Sequence, residues 1–227
     1  RNEPAYIPHV ARILAELSFG GDVPLGPGAT ADPAWGRLPL IPVEGVAAFQ
    51  TRWAPDHLTV YVRVTDATDT GGDSLTFVVG DQTYTLDRSG SGVPGSVAAI
   101  DGGWAAVVHL PLNDAARGDT VQLDVQVTDA GTTTGWNTPG SLGTLTLVEE
   151  LSFTEVVQAP TAPTVDGVVD DVWELAAAVS TDTQIEGSAA GAATAEVRTL
   201  WSGDGTTLYV LAEVTDDQID LGASNPW

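Results

Sequence analysis

Apolar and polar residues alternate with period two along much of residues 45–148. Val121, Leu123, Val125 and Val127 are interleaved with Gln122, Asp124, Gln126 and Thr128, which places the two sets on opposite faces of a strand. Runs rich in Val, Thr, Leu and aromatics predict strands over 46–53, 57–65, 74–79, 82–87, 96–100, 103–110, 120–128 and 142–148. Gly71-Gly72, Gly80-Asp81, Ser89-Gly90-Ser91-Gly92, Asp101-Gly102-Gly103 and Arg117-Gly118-Asp119 supply the turns between them. Many short strands at this spacing predict a β-sandwich. Residues 4–17 carry a different period. Ile7, Val10, Ile13, Leu14 and Leu17 fall on one helical face, with Asn2 and Pro4 as start signals and Gly20-Gly21 as a stop.

A second pattern is a repeat. Asp32-Pro33-Ala34-Trp35 is echoed by Asp170-Asp171-Val172-Trp173. Each is followed by another tryptophan, Trp53 or Trp201, and then by an apolar run closing on Val-Thr-Asp, Leu58 to Asp66 and Leu208 to Asp216. A period this long predicts two copies of one domain rather than a solenoid. The expected strands of the second copy are about 194–202 and 206–215. The fold class expected is therefore all-β: two immunoglobulin-like or jelly-roll-type sandwich modules, the second incomplete, preceded by one short α-helix. The expected division is a helix over 1–20, a Gly/Pro/Ala/Asp-rich lead-in over 21–34, a first module over 35–150, a connector over 151–163 and the N-terminal half of a second module over 164–227. A half-sheet would leave edges and an apolar face open. A chain that starts at Arg1, has no Met and stops at Trp227 in mid-repeat reads as an internal stretch of a longer polypeptide.

Charge narrows the partners. The formal net charge is −23 and all eight basic residues are Arg. So acidic a chain argues against nucleic acid and anionic membranes as partners, because phosphates require cationic contacts. No apolar run approaches the ~18 residues of a membrane span. With no cysteine there is neither a disulfide nor a thiolate metal site.

The motifs resemble a family 9 carbohydrate-binding module, a type found beside family 10 glycoside hydrolase domains in modular xylanases. In the second copy the matching residues are Val165-Asp166-Gly167, Val172-Trp173, Val197 to Trp201, Leu208-Tyr209-Val210, Val214-Thr215-Asp216 and Asn225-Pro226-Trp227. In the first they are Asp32 to Trp35, Trp53, Val64-Thr65-Asp66, Asp73-Ser74, Gly102-Gly103-Trp104, Val125 to Ala130 and Trp136 to Leu145. The helix 4–17 resembles the closing helix of a family 10 barrel, which implies a covalently linked catalytic domain upstream. The resemblance implies a secreted protein and a polysaccharide or oligosaccharide ligand such as xylan or cellulose. It also implies that two tryptophans of one module clamp a terminal sugar: one platform is Trp227, with Asn225, in the second copy, the other is Trp136 in the first, and neither copy carries both. The stretch Ala67 to Gly72, where the first copy should carry its other platform, has no tryptophan. No cofactor is required, but modules of this family often hold Ca²⁺, and Asp66 and Asp216 are the candidate ligands.

Other readings stand beside these. Trp35, Trp53, Trp104, Trp173 and Trp201 read as core, since aromatics in strand-like patterns usually pack. Trp136, in the Gly/Thr/Asn/Pro-rich loop Gly131 to Pro139, reads as an exposed ligand contact. The many aspartates read first as a solvated surface. Glu149-Glu150 and Asp170-Asp171 lack the disposition of a glycosidase pair. His9, His57 and His109 lie on separate elements, and a haem-carrying sandwich is disfavoured because the chain has no Met and no close His pair. A spacer without sugar affinity is the alternative function.

Overall fold

The structure is a computed structural model that describes residues 15–69, 71–181 and 193–216. Fifteen strands are present among them: β1 Leu17–Gly20, β2 Ile41–Val43, β3 Ala47–Ala54, β4 His57–Val64, β5 Ser74–Val79, β6 Gln82–Asp87, β7 Gly95–Ile100, β8 Gly103–Pro111, β9 Thr120–Asp129, β10 Thr132–Gly135, β11 Gly143–Glu150, β12 Val157–Gln158, β13 Val179–Thr181, β14 Thr194–Trp201 and β15 Leu208–Thr215. The chain forms two compact units, Arg1–Leu151 and Ser152–Trp227.

In the first unit one eleven-stranded sheet runs β6-β5-β9-β11-β1-β3-β4-β8-β7, with β10 on β9 and β2 on β3. It folds into a barrel-like sandwich. Phe49, Leu58, Val60, Val62, Trp104, Val108 and Leu110 from one half meet Leu75, Phe77, Leu123, Val125, Leu145 and Leu147 from the other in one buried cluster. Period-two alternation drives this, because each strand has one apolar face and burying it is the main favourable term. β1 joins the halves, pairing in parallel with both β11 and β3.

The helix predicted over 4–17 falls mostly on residues outside those described. Its last position does not fit, because Leu17 opens β1 and Ala15 and Glu16 form a turn. The lead-in 21–34 is not a free linker. Val23, Ala29 and Trp35 pack with Tyr61, Ala105 and Val107 in a second cluster on the outer face of β4 and β8. Trp35 sits on a 3₁₀ turn, Pro33–Gly36, whose start is capped by the Asp32 carboxylate accepting from Ala34 N–H at 2.8 Å. Its ring stacks on Tyr61 at 5.0 Å, and its Nε1–H donates to Ala29 O at 2.8 Å.

The second unit reproduces this local plan. β12 pairs in parallel with the end of β14, β13 antiparallel with its start, and β15 along its whole length. These are the relations of β1, β2 and β4 to β3, down to Gly20 opposite Trp53 and Gln158 opposite Trp201. Trp173, on the 3₁₀ turn Asp171–Leu175, packs with Ala159, Ala176 and Leu200. The connector 151–163 therefore contains β12 and the buried Ala159, and is not merely a spacer.

Candidate functional site

Trp136 stands where β10 ends and the irregular stretch 136–142 begins. The hairpin β9–β10 leads into it, and its N–H donates to Val125 O at 2.8 Å. Its ring meets Phe49 edge-on at 5.0 Å and packs against the first core, leaving it half-buried. The next residue is tied down by a buried carboxylate: Asp124 Oδ1 accepts from Asn137 N–H at 2.9 Å and from Asn137 Nδ2 at 3.2 Å. Gln126 donates to the other oxygen at 2.9 Å. Nothing in the sequence singles out Asp124, because it occupies an ordinary polar position of an alternating strand. Trp136, expected to be exposed, is half-buried, with one side of the ring committed to packing. The segment 67–72 offers no opposing aromatic.

Three carboxylates, Asp66, Asp73 and Asp129, offer oxygens within 4.8 Å of one another. One guanidinium nitrogen stands among them. Arg88 Nη1 donates to Asp66 Oδ2 at 3.0 Å, Asp73 Oδ2 at 3.0 Å and Thr68 O at 2.8 Å. Asp73 is buried, against the reading of these aspartates as solvated surface. The Asp66 carboxyl is held below its usual range, first by Thr68 N–H and its hydroxyl and then by Arg88. These oxygens are the hard donors Ca²⁺ prefers, but Arg88 supplies the positive charge they need. Asp216, the other calcium candidate, is exposed beyond the end of β15.

In the second unit a groove of about 490 Å³ is lined by Trp173, Glu196, Arg198 and Glu213, among others. Arg198 pairs with Glu213 and, at 3.2 Å, with Glu196. The opposite face of the same sheet is apolar and open: Leu208, Val210 and Val214 are exposed, as is Trp201, against the expectation that it is core. Trp35, Trp104 and Trp173 are buried as expected, and Trp53 is half-buried with its Nε1–H donating to Val148 O at 2.8 Å. Asn225 and Trp227 lie outside the described residues.

Two of the three histidines, expected to be scattered, meet. β4 and β8 pair with Thr59 opposite His109 and His57 opposite Pro111, so both imidazoles share the outer face. Their rings stack with centroids 3.9 Å apart. His9 lies outside the described residues. Among the described residues no helix is long and apolar enough to cross a membrane.

Residues 165–227 match the family described as carbohydrate family 9 binding domain-like. The chain is similar to endo-1,4-beta-xylanase A of Thermoanaerobacterium saccharolyticum, 29% identical over 88% of this chain and 20% of that protein. It is 28% identical to exoglucanase XynX of Acetivibrio thermocellus over 88% of this chain and 21% of that protein. Endo-1,4-beta-xylanase A of Thermotoga neapolitana is 34% identical over 53% of this chain and 12% of its own length. The chain thus spans about a fifth or less of the curated relatives it matches.

Proposed function

We propose that this chain is a noncatalytic carbohydrate-binding part of a secreted endo-1,4-β-xylanase, joined to an upstream catalytic domain and tethering it to xylan or cellulose chains of the plant cell wall. The observation that carries this reading is the family match over residues 165–227; relatives named as xylanases support it. The tandem arrangement is supported by the shared plan of β1–β4 and β12–β15 around Trp35 and Trp173. Sugars present apolar C–H faces that an aromatic ring can cover and hydroxyls that amides can bind. Trp227 with Asn225 supplies that chemistry in the second unit, and Trp136 supplies one wall in the first. Tethering raises the local concentration of substrate even where each contact is weak.

A second reading holds for the first unit alone: a spacer without sugar affinity. The half-buried Trp136 and the lack of an aromatic in 67–72 favour it. The test is isothermal titration of the full chain with xylobiose and cellobiose, together with pull-down on insoluble xylan and cellulose. Trp227→Ala should abolish binding and Trp136→Ala should leave most of it. Loss in Trp136→Ala alone would make the first unit the binder, and no binding by a folded wild type would sink the carbohydrate reading.

A further inference from the structure

We propose that Asp22, His57 and His109 form a binding site for one divalent first-row transition ion, with Zn²⁺ as the representative. The ion would pin the lead-in 21–34 to the outer face of β4 and β8. The site belongs to the first unit and does not depend on whether that unit binds sugar.

Three ligand atoms converge. Asp22 Oδ1 is 3.0 Å from His57 Nε2 and 3.7 Å from His109 Nε2, and all three atoms lie within 4.8 Å of one another. Ligands about 2.0–2.1 Å from a tetrahedral ion stand ~3.3 Å apart. The Asp22–His57 and Asp22–His109 separations bracket that edge, and the two imidazoles, stacked at 22° in the ion-free form, would have to turn out of the stack to aim both Nε2 lone pairs at one ion. Two imidazoles and one carboxylate suit Zn²⁺, Ni²⁺ or Co²⁺, whereas Ca²⁺ takes oxygen ligands.

The far nitrogen of His57 is held in place as well. His57 Nδ1 lies 2.8 Å from Asp56 Oδ1. An ionised carboxylate only accepts, so Nδ1 carries the hydrogen and Nε2 is the nitrogen that faces Asp22. A carboxylate holding the far nitrogen is the arrangement that orients and strengthens a histidine ligand. His109 Nε2 is 3.0 Å from Val23 O, which can only accept, so in the ion-free form this nitrogen donates to the carbonyl and a metal ion would replace that hydrogen. The imidazoles are mostly buried, with side chains 14% and 21% exposed, while Asp22 is 50% exposed and leaves an entry for the ion.

The location gives the ion a task. The face it borders is covered by the lead-in through Val23, Ala29 and Trp35. An ion held by Asp22 from the lead-in, His57 from β4 and His109 from β8 would close that cover at its start. Binding to the folded form alone stabilises it by mass action.

The experiment uses the full chain, untagged and freed of metal, titrated with Zn²⁺ and with Ca²⁺ as control at neutral pH. The expected result is one tight Zn²⁺ per chain, a rise of several degrees in the melting temperature of the first unit, and no comparable response to Ca²⁺. His57→Gln and His109→Gln should each weaken that site about 100-fold, and Asp56→Asn about 10-fold; His9→Ala should change nothing. Co²⁺ should give tetrahedral d–d absorption that both histidine variants lose. Zn²⁺ binding unaffected by the two Gln variants, or a site filled only by a proton on His57, would overturn the proposal. Should a Gln variant fail to fold, wild-type imidazole NMR decides: Zn²⁺ must shift the His57 and His109 ring resonances together at one equivalent.

Discussion

The six-membered ring of Trp136 lies over Gly143 so closely that a Cβ built at position 143 would fall 2.3 Å from it. No side chain larger than hydrogen fits there without moving the indole. Gly143 begins β11 with an ordinary strand backbone, so its need for glycine is one of space. Gly143→Ala should therefore displace Trp136 from Phe49 and cost about 1–3 kcal/mol. Denaturant unfolding of the first unit, with a red-shifted tryptophan emission in the folded variant, checks it; unchanged stability and emission would show that the ring moves freely.

Arg88 stands among the first unit's carboxylates where a cation would otherwise be expected. Its side chain is 16% exposed and that of Asp73 only 2%, so removing the guanidinium strands a buried charge. Arg88→Met should cost about 3 kcal/mol and leave three clustered carboxylates ready for a hard cation. Wild type freed of metal should melt at the same temperature with and without added calcium, while the variant should recover stability only with calcium. A calcium-dependent wild type would show that Arg88 does not do the ion's work.

What the sequence made legible follows from range. The alternation of Val121, Leu123, Val125 and Val127 is local, and it places β9 within a residue of where it lies. β5 and β6 fall where turn chemistry puts them. β1 is hidden because Leu17 completes a helical spacing with Ile13 and Leu14, whereas its strand geometry comes from pairing with residues near 52 and 147, far along the chain. The same holds for the sites. Asp73 with Arg88, and His57 with His109, are brought together only by strand register and by the β5–β6 hairpin. Nothing in their immediate neighbours marks them. Trp201 reads as core because aromatics in strand-like runs usually pack, but the described residues of its unit supply no facing half-sheet.

The two units carry the same strand in different settings. Val60 in β4 is 0% exposed, while Val210, at the matching place in β15, is 60% exposed. Val60→Ala should cost about 2 kcal/mol from lost burial and a cavity. Val210→Ala should stay within about 0.5 kcal/mol. Paired urea melts read through each unit measure the difference. Equal costs would mean that the face bearing Val210 is covered in solution.

The turn joining β14 to β15 is held by one carboxylate. Asp204 accepts from Thr206 N–H at 3.1 Å, from the Thr206 hydroxyl at 2.8 Å and from the Ser202 hydroxyl. The Ser202 hydroxyl first, then the Thr206 donors, lower its pKa from 3.8 to about 2. A carboxyl depressed on folding contributes stability above its unfolded pKa and loses it as the pH falls through the folded value. Its contribution to the second unit is therefore whole above pH 4 and fades between about pH 4 and pH 2. Asp204→Asn should lower the melting temperature at neutral pH and flatten its fall over that window. Thermal unfolding of both proteins across the window, followed by amide exchange at Thr206 and Thr207, gives the comparison. Parallel curves would mean that the three donors hold the turn without the charge.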